Sequence, residues 1–153
     1  MPRLVNPVTS HESATVASPV VEATARGADV LAAEYWGEVK ETTRGLVRPT
    51  VTEGSIALRL FGRGPALIRL GQPSISAGAE SVTCRYPIVG GLLVGREGGS
   101  LALEQVSGDT VLLRSTLTEY VPRLAGVFYF QVQARLHSLI SRRYFARLER
   151  STR

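Results

Sequence analysis

Three residues have the type and setting for acid–base chemistry: Glu119, Tyr86 and His137. Glu119 shares an expected inner strand face with Val111, Leu113, Ser115, Leu117 and Val121, just before a helical segment. A carboxylate held among apolar groups has a raised pKa and can act as a general acid or base. The competing reading is a strand end open to water, with Glu119 paired to Arg123. His137 stands at the edge of an apolar helical stripe, beside Leu136, which suits a proton shuttle or a boundary histidine with one nitrogen satisfied. Tyr86, like Tyr120 and Tyr129, can orient a carbonyl through its hydroxyl, or simply pack with an apolar body and a wet tip. Glu38 and Glu41 flank Val39 and carry the same two readings as Glu119. Cys84 sits in an apolar strand set with Arg85 pointing to the other face, so it lacks the cation that a reactive thiolate needs.

Other chemistries find no footing. A single cysteine allows no intramolecular disulfide and no cysteine-based zinc site. Two histidines are too few for a His-rich centre, so no metal and no cofactor is expected. Gly90-Gly91 and Gly98-Gly99 are not phosphate loops, because no Lys-Ser/Thr follows and no strand–GxGxxG–helix context exists. No run approaches the ~18 apolar residues of a membrane span, and the first residues lack the apolar core of a secretory signal. A cytoplasmic protein with no membrane span is the expectation.

Net charge is +5, and 17 of the 18 basic residues are arginine. Seven arginines lie between Arg123 and Arg153 against one acid, Glu149, so the basic character is local to the C-terminal segment. Arg142, Arg143 and Arg147 do not share one helical face, and no aromatics interleave them on the polar side. Nucleic-acid binding is therefore not expected.

Residues 1–27 are rich in Ser, Thr, Ala, Val and Pro without a sustained period, which predicts a flexible tail or lid. Residues 28–153 form one α+β domain. Ala33–Thr43, with its aromatic and β-branched residues, reads as a strand. Ser55–Phe61 and Ala66–Leu70 form a hairpin that sets Leu60 against Ala66, Leu58 against Ile68 and Ile56 against Leu70. Ala79–Tyr86 alternates, with Val82, Cys84 and Tyr86 on one side. The glycines in Gly90-Gly91 predict a bulge, a bend or a close backbone approach. A second hairpin over 100–121 sets Gln105 against Val111, Leu103 against Leu113 and Leu101 against Ser115. From about 124 to 150 a stripe through Tyr129, Val132, Leu136, Ile140, Tyr144 and Leu148 predicts one long amphipathic helix, about 40 Å at 1.5 Å per residue.

A curved antiparallel sheet or partial β-barrel packed on one long C-terminal helix resembles the helix-grip superfamily of START, Bet v 1-like and polyketide cyclase-like proteins. The resemblance rests on element order over residues ~33–150. It departs at 44–54, which is strand-like or loop-like where two short helices would follow the family's first strand. It implies an apolar small molecule held between sheet and helix. The expected lining is Tyr35, Trp36, Leu58, Leu60, Val82, Cys84, Leu103, Leu113, Leu117, Tyr129, Val132 and Leu136, with filling of a solid core as the alternative use of the same residues. A cyclase that shapes a polyketide-like substrate by positioning, a non-catalytic carrier or sensor, and an interaction module built on the basic helix are the three functions considered. Homodimerisation is left open.

Overall fold

The computed structural model describes residues 8–96, 98–122 and 133–151. Among the described residues, nine strands and two helices follow one another as β1 (Val8–Val16), α1 (Ala25–Thr42), β2 (Val47–Thr52), β3 (Ser55–Leu60), β4 (Ala66–Leu70), β5 (Ser74–Ala77), β6 (Ser81–Gly90), β7 (Val94–Arg96), β8 (Ser100–Ser107), β9 (Val111–Pro122) and α2 (Ala134–Ser151). The fold is α+β. Its antiparallel sheet runs β1-β9-β8-β6-β4-β3-β2, with β5 beside β6 and β7 beside β9. The sheet is open, because β1 and β2 end the order without meeting. Both helices pack into the same core as β3, β4, β6, β8 and β9.

The first correction concerns the expected flexible tail over 1–27. Residues 8–16 are an edge strand paired along β9, from Val16 against Val111 to Ser10 against Leu117. Its side chains alternate between exposed and partly covered, and Val16 is buried. The segment is polar because only one face meets the core and one edge meets water. The ladder to β9, rather than its own hydrophobicity, holds it in place.

The second correction is larger. Ala33–Thr43, read as a strand, belongs to the 18-residue helix α1. Ala28, Leu31, Ala32, Tyr35, Trp36 and Val39 are all buried, and their spacing of three and four is helical. Thr24 caps the start by accepting a hydrogen bond from the Gly27 amide at 3.2 Å. The end is tied by Thr43, whose hydroxyl donates to the Val39 carbonyl (2.8 Å) and accepts from the Val47 amide (3.1 Å). Helix α1 thus delivers the chain directly into β2.

Both predicted hairpins form, the first in the predicted register up to a bulge and the second in a shifted one. In the first, Ile56 pairs with Leu70 and Leu58 with Ile68, but a bulge places Arg59 opposite Ala66. In the second, Leu103 pairs with Ser115 and Leu101 with Leu117, two residues from the predicted partners. A slip of two leaves every side chain on its expected face, so Leu101, Leu103 and Leu113 are buried as the alternation requires.

Face parity fails near the end of β9. Between Leu117 and Tyr120 the pairing to β1 slips, and Glu119 takes φ +50°. Glu119 turns outward while Tyr120 is buried. The Glu119 amide accordingly bonds outward, donating to Thr9 Oγ1 at 3.0 Å.

Helix α2 covers the C-terminal part of the predicted helix; residues 124–132 of that prediction lie outside the described residues. Ile140, Tyr144, Phe145 and Leu148 are buried. The exposed Arg135, Arg142, Arg143 and Arg150 are on other sides. Arg147 is engaged with α1. It pairs with Glu34, with Glu38 at 3.5 Å and with Glu41 at 3.1 Å. These carboxylates line one face of α1 over two turns, and Glu38 is buried. Arg147→Ala leaves them facing one another without the cation and is expected to lower stability by about 1–2 kcal/mol, a value discounted because the pair is partly solvated. Urea unfolding would check it, and the loss should shrink in high salt.

Candidate functional site

Aromatic side chains tie the helices to the sheet. Tyr144 of α2 meets Tyr35 edge-on at 5.2 Å, Tyr35 meets Trp36 at 5.1 Å, and Trp36 meets Tyr86 of β6 at 5.3 Å. The Trp36 indole donates to the Tyr86 hydroxyl at 3.3 Å, and the Tyr144 hydroxyl donates to the Leu31 carbonyl at 2.8 Å. On one side of this row the core is solid. On the other a half-open pocket of about 150 Å3 remains.

The pocket has walls from every layer of the domain. Helix α1 supplies Tyr35, Trp36 and Val39, while strands β3 and β4 supply Leu58, Leu67, Ile68 and Leu70. Ile88 of β6, Leu101 of β8 and Leu117 of β9 form the floor, and α2 closes the other side with Leu136, His137 and Ile140. No Arg, Lys, Asp or Glu is among the described lining residues.

Three of its polar side chains, Tyr120, Gln133 and His137, are grouped at one end, while the Thr43 hydroxyl, also in the lining, is bonded to the Val39 carbonyl. The Tyr120 hydroxyl donates to the Leu93 carbonyl at 2.6 Å and accepts from Gln133 Nε2 at 2.9 Å. Gln133 stands immediately before α2, and His137 follows one turn later. Gln133 Oε1 and His137 Nε2 are both buried with no hydrogen-bond partner among the described residues. Burial holds the His137 pKa below its ordinary value, against a weaker upward pull from Glu12, so the ring is neutral at pH 7.

That shift has a consequence for stability. Below about pH 6.5 the unfolded chain binds a proton at His137 that the folded protein resists. Stability should therefore fall as pH drops below that value, and this contribution should be level above it. In thermal melts across pH 5–8, His137→Phe should flatten the slope between pH 5 and 6.5.

The sequence-derived residues divide into four groups. Tyr35, Trp36, Leu58, Leu117, Leu136 and His137 come together around the pocket. Val82, Cys84, Leu103 and Leu113 are buried in the solid part of the core, and Leu60 is only partly covered. Tyr129 and Val132 lie outside the described residues. Glu119, expected on the inner face, is exposed on the far side of the β9 bulge and does not reach the pocket end formed by Tyr120.

Two further groups are chemically quiet. Burial pushes the Cys84 thiol up to about 11 and the Tyr86 hydroxyl up to about 12, the latter partly offset by the Trp36 hydrogen bond. Neither ionises near neutral pH, and Tyr86 spends its hydroxyl on Trp36. Sequence reasoning named Tyr120 only as one tyrosine among several and missed Gln133. Tyr120 was hidden by the parity change. Gln133 carried a usable signal, a polar residue one turn before His137 on the same helical face.

No group of His, Cys, Asp and Glu among the described residues could hold a metal ion. No described helix is long and apolar enough to cross a membrane. No protein-family model matches the chain, and no curated protein matches it.

Proposed function

We propose that the protein binds a small, mostly apolar molecule in the pocket between the sheet, α1 and α2. One observation carries this reading: a half-open apolar pocket persists in an otherwise packed core, with its unsatisfied polar atoms confined to one end. Binding sites for small molecules are concave, mainly apolar and furnished with a few placed polar groups.

Size narrows the ligand. About 150 Å3 is below the roughly 300–1,000 Å3 of pockets that enclose drug-sized molecules. It is comparable to a cavity of roughly 150 Å3 that accepts benzene. A ligand of about one ring is favoured over an extended polyketide-like chain. Pocket size favours the carrier or sensor function over the cyclase, and the described lining holds no carboxylate or thiol for acid–base or nucleophilic work. The basic-helix reading loses Arg147, which is committed to α1.

The architecture supports a helix-grip assignment as part of the same proposal. The first and last strands are neighbours, the antiparallel sheet runs on from β9 to β2 at its far edge, and the terminal helix packs on the sheet. The departure is a single 18-residue helix between the first two strands instead of two short ones.

The test is benzene binding. Saturating benzene should raise the melting temperature, because a ligand that binds only the folded state stabilises it by mass action. Leu117→Trp fills the pocket from the β9 side and should abolish that rise while the protein remains folded. A melting curve unmoved by benzene and by phenol in the parent protein would remove the proposal.

A further inference from the structure

The polar end of the pocket specifies what the ligand must carry. Tyr120 has one hydroxyl proton, and it goes to the Leu93 carbonyl at 2.6 Å. The group facing the Tyr120 oxygen from Gln133 must then be an N–H, which fixes the Gln133 amide with Nε2 toward Tyr120 (2.9 Å) and Oε1 away from it. Gln133 Oε1 is thus a buried acceptor in need of a donor. One helical turn on, His137 Nε2 is buried and unpartnered among the described residues. A neutral imidazole can present either a donor or an acceptor there, according to its tautomer.

Four kinds of ligand group can be weighed against this pair. A carboxylate would face the Gln133 acceptor oxygen with no Arg or Lys in the described lining, which makes its burial unfavourable. An ammonium would be buried with no Asp or Glu in that lining. A ketone has no proton for Gln133. A hydroxyl has both halves: it donates to Gln133 Oε1 and accepts from His137 Nε2–H. The remaining lining, from Leu58 and Ile68 to Leu117 and Ile140, asks for an apolar ring or short chain behind it.

We infer that the ligand of this pocket is a neutral, single-ring alcohol or phenol whose hydroxyl is held between Gln133 and His137. The inference rests on the binding function proposed above and names the ligand class of the same site. It also assigns a specificity role to Gln133 and His137, with Tyr120 as a positioning residue that orients the Gln133 amide. Benzene leaves two buried polar atoms unpaired, whereas phenol satisfies both, and the penalty for an unpaired buried group makes such pairs discriminate.

Calorimetric titration of the full chain with benzene, phenol, benzoate and benzylamine tests it. Phenol should bind at least about tenfold more tightly than benzene, because two modest hydrogen bonds are gained and two unpaired groups relieved. Benzoate and benzylammonium should bind more weakly than phenol. Gln133→Leu and His137→Phe should each reduce the ratio of phenol to benzene affinity several-fold, whatever they do to benzene binding itself. Gln133→Met serves as a second variant if Gln133→Leu folds poorly, and the comparison within the parent protein needs no variant. Benzene binding with no preference for phenol overturns the hydroxyl assignment and leaves the pocket function standing. A phenol preference that survives in both variants also overturns it. Failure of both benzene and phenol to bind removes the function and the inference together.

Discussion

Tyr144→Ala is expected to lower folding stability by about 3–5 kcal/mol, the range for removing a buried aromatic side chain from a packed core. Tyr144 is 1% exposed. It meets Tyr35 edge-on at 5.2 Å and lies tilted against Phe145 at 5.6 Å. Its hydroxyl donates to the Leu31 carbonyl across the helix–helix contact. Tyr144→Phe separates the two contributions, since it keeps the ring and should lose only about 1 kcal/mol for the hydrogen bond. A domain of this size has about 5–15 kcal/mol in total, so the alanine variant should show a much lower urea midpoint, and the phenylalanine variant a small shift. Tyr35 loses its neighbour in the alanine variant, and Tyr35 lines the pocket. Benzene and phenol should therefore bind more weakly to Tyr144→Ala even where it remains folded. Near-equal midpoints for the alanine and phenylalanine variants would show that the ring does not carry the α1–α2 contact.

The sequence reveals side-chain faces more readily than it reveals element types. Leu101, Leu103 and Leu113 were assigned inward from alternation alone, and the two-residue slip of their hairpin did not disturb that, because an even slip preserves parity. The glycine pair at 90–91 read as a bulge, a bend or a close backbone approach, and Gly91 makes the close approach while Gly90 has nothing near its virtual Cβ. The stripe through Ile140, Tyr144 and Leu148 marked the buried side of α2. Helix α1 was obscured because Tyr35, Trp36 and Val39 are residue types favoured in strands, although Ala28, Leu31, Ala32, Tyr35, Trp36 and Val39 repeat at helical spacing. Periodicity outweighed propensity there. Strand β1 was obscured for the opposite reason: its polar run contains no apolar period, and its place is set by the edge of β9, some hundred residues away in sequence. The Glu119 bulge is the costliest omission for function. One residue at positive φ turned Glu119 out and Tyr120 in, exchanging an expected carboxylate for Tyr120 at the polar end of the pocket, while Val121 stays buried as its expected face requires. No local sequence signal marks that change, since glutamate is not a residue favoured at positive φ.

Gly91→Ala should be at least as damaging as the loss of Tyr144, at about 3 kcal/mol or more, because backbone strain and a steric clash act together. Gly91 has φ +122°, and an added Cβ would lie 2.4 Å from the Leu67 carbonyl oxygen and 2.7 Å from Ile68 Cα. Those atoms are backbone of β4 and cannot rotate away. Gly98 supplies the control. It has φ +126° but nothing within 4 Å of its virtual Cβ, so Gly98→Ala carries the strain without the clash and should cost about 1–2 kcal/mol. The difference between the two variants measures the close approach itself. The approach also matters for binding. Just beyond Gly91, the Leu92 and Leu93 amides bond to the Ala66 and Leu67 carbonyls of β4, and the Leu93 carbonyl receives the Tyr120 hydroxyl. Moving this segment off β4 displaces the acceptor that directs Tyr120, and with it the oxygen that orients Gln133. A folded fraction of Gly91→Ala should therefore lose its preference for phenol over benzene, whereas Gly98→Ala should retain it. Equal loss of preference in both variants would show that general destabilisation, and not the path from Leu93 through Tyr120 to Gln133, sets the polar end of the pocket.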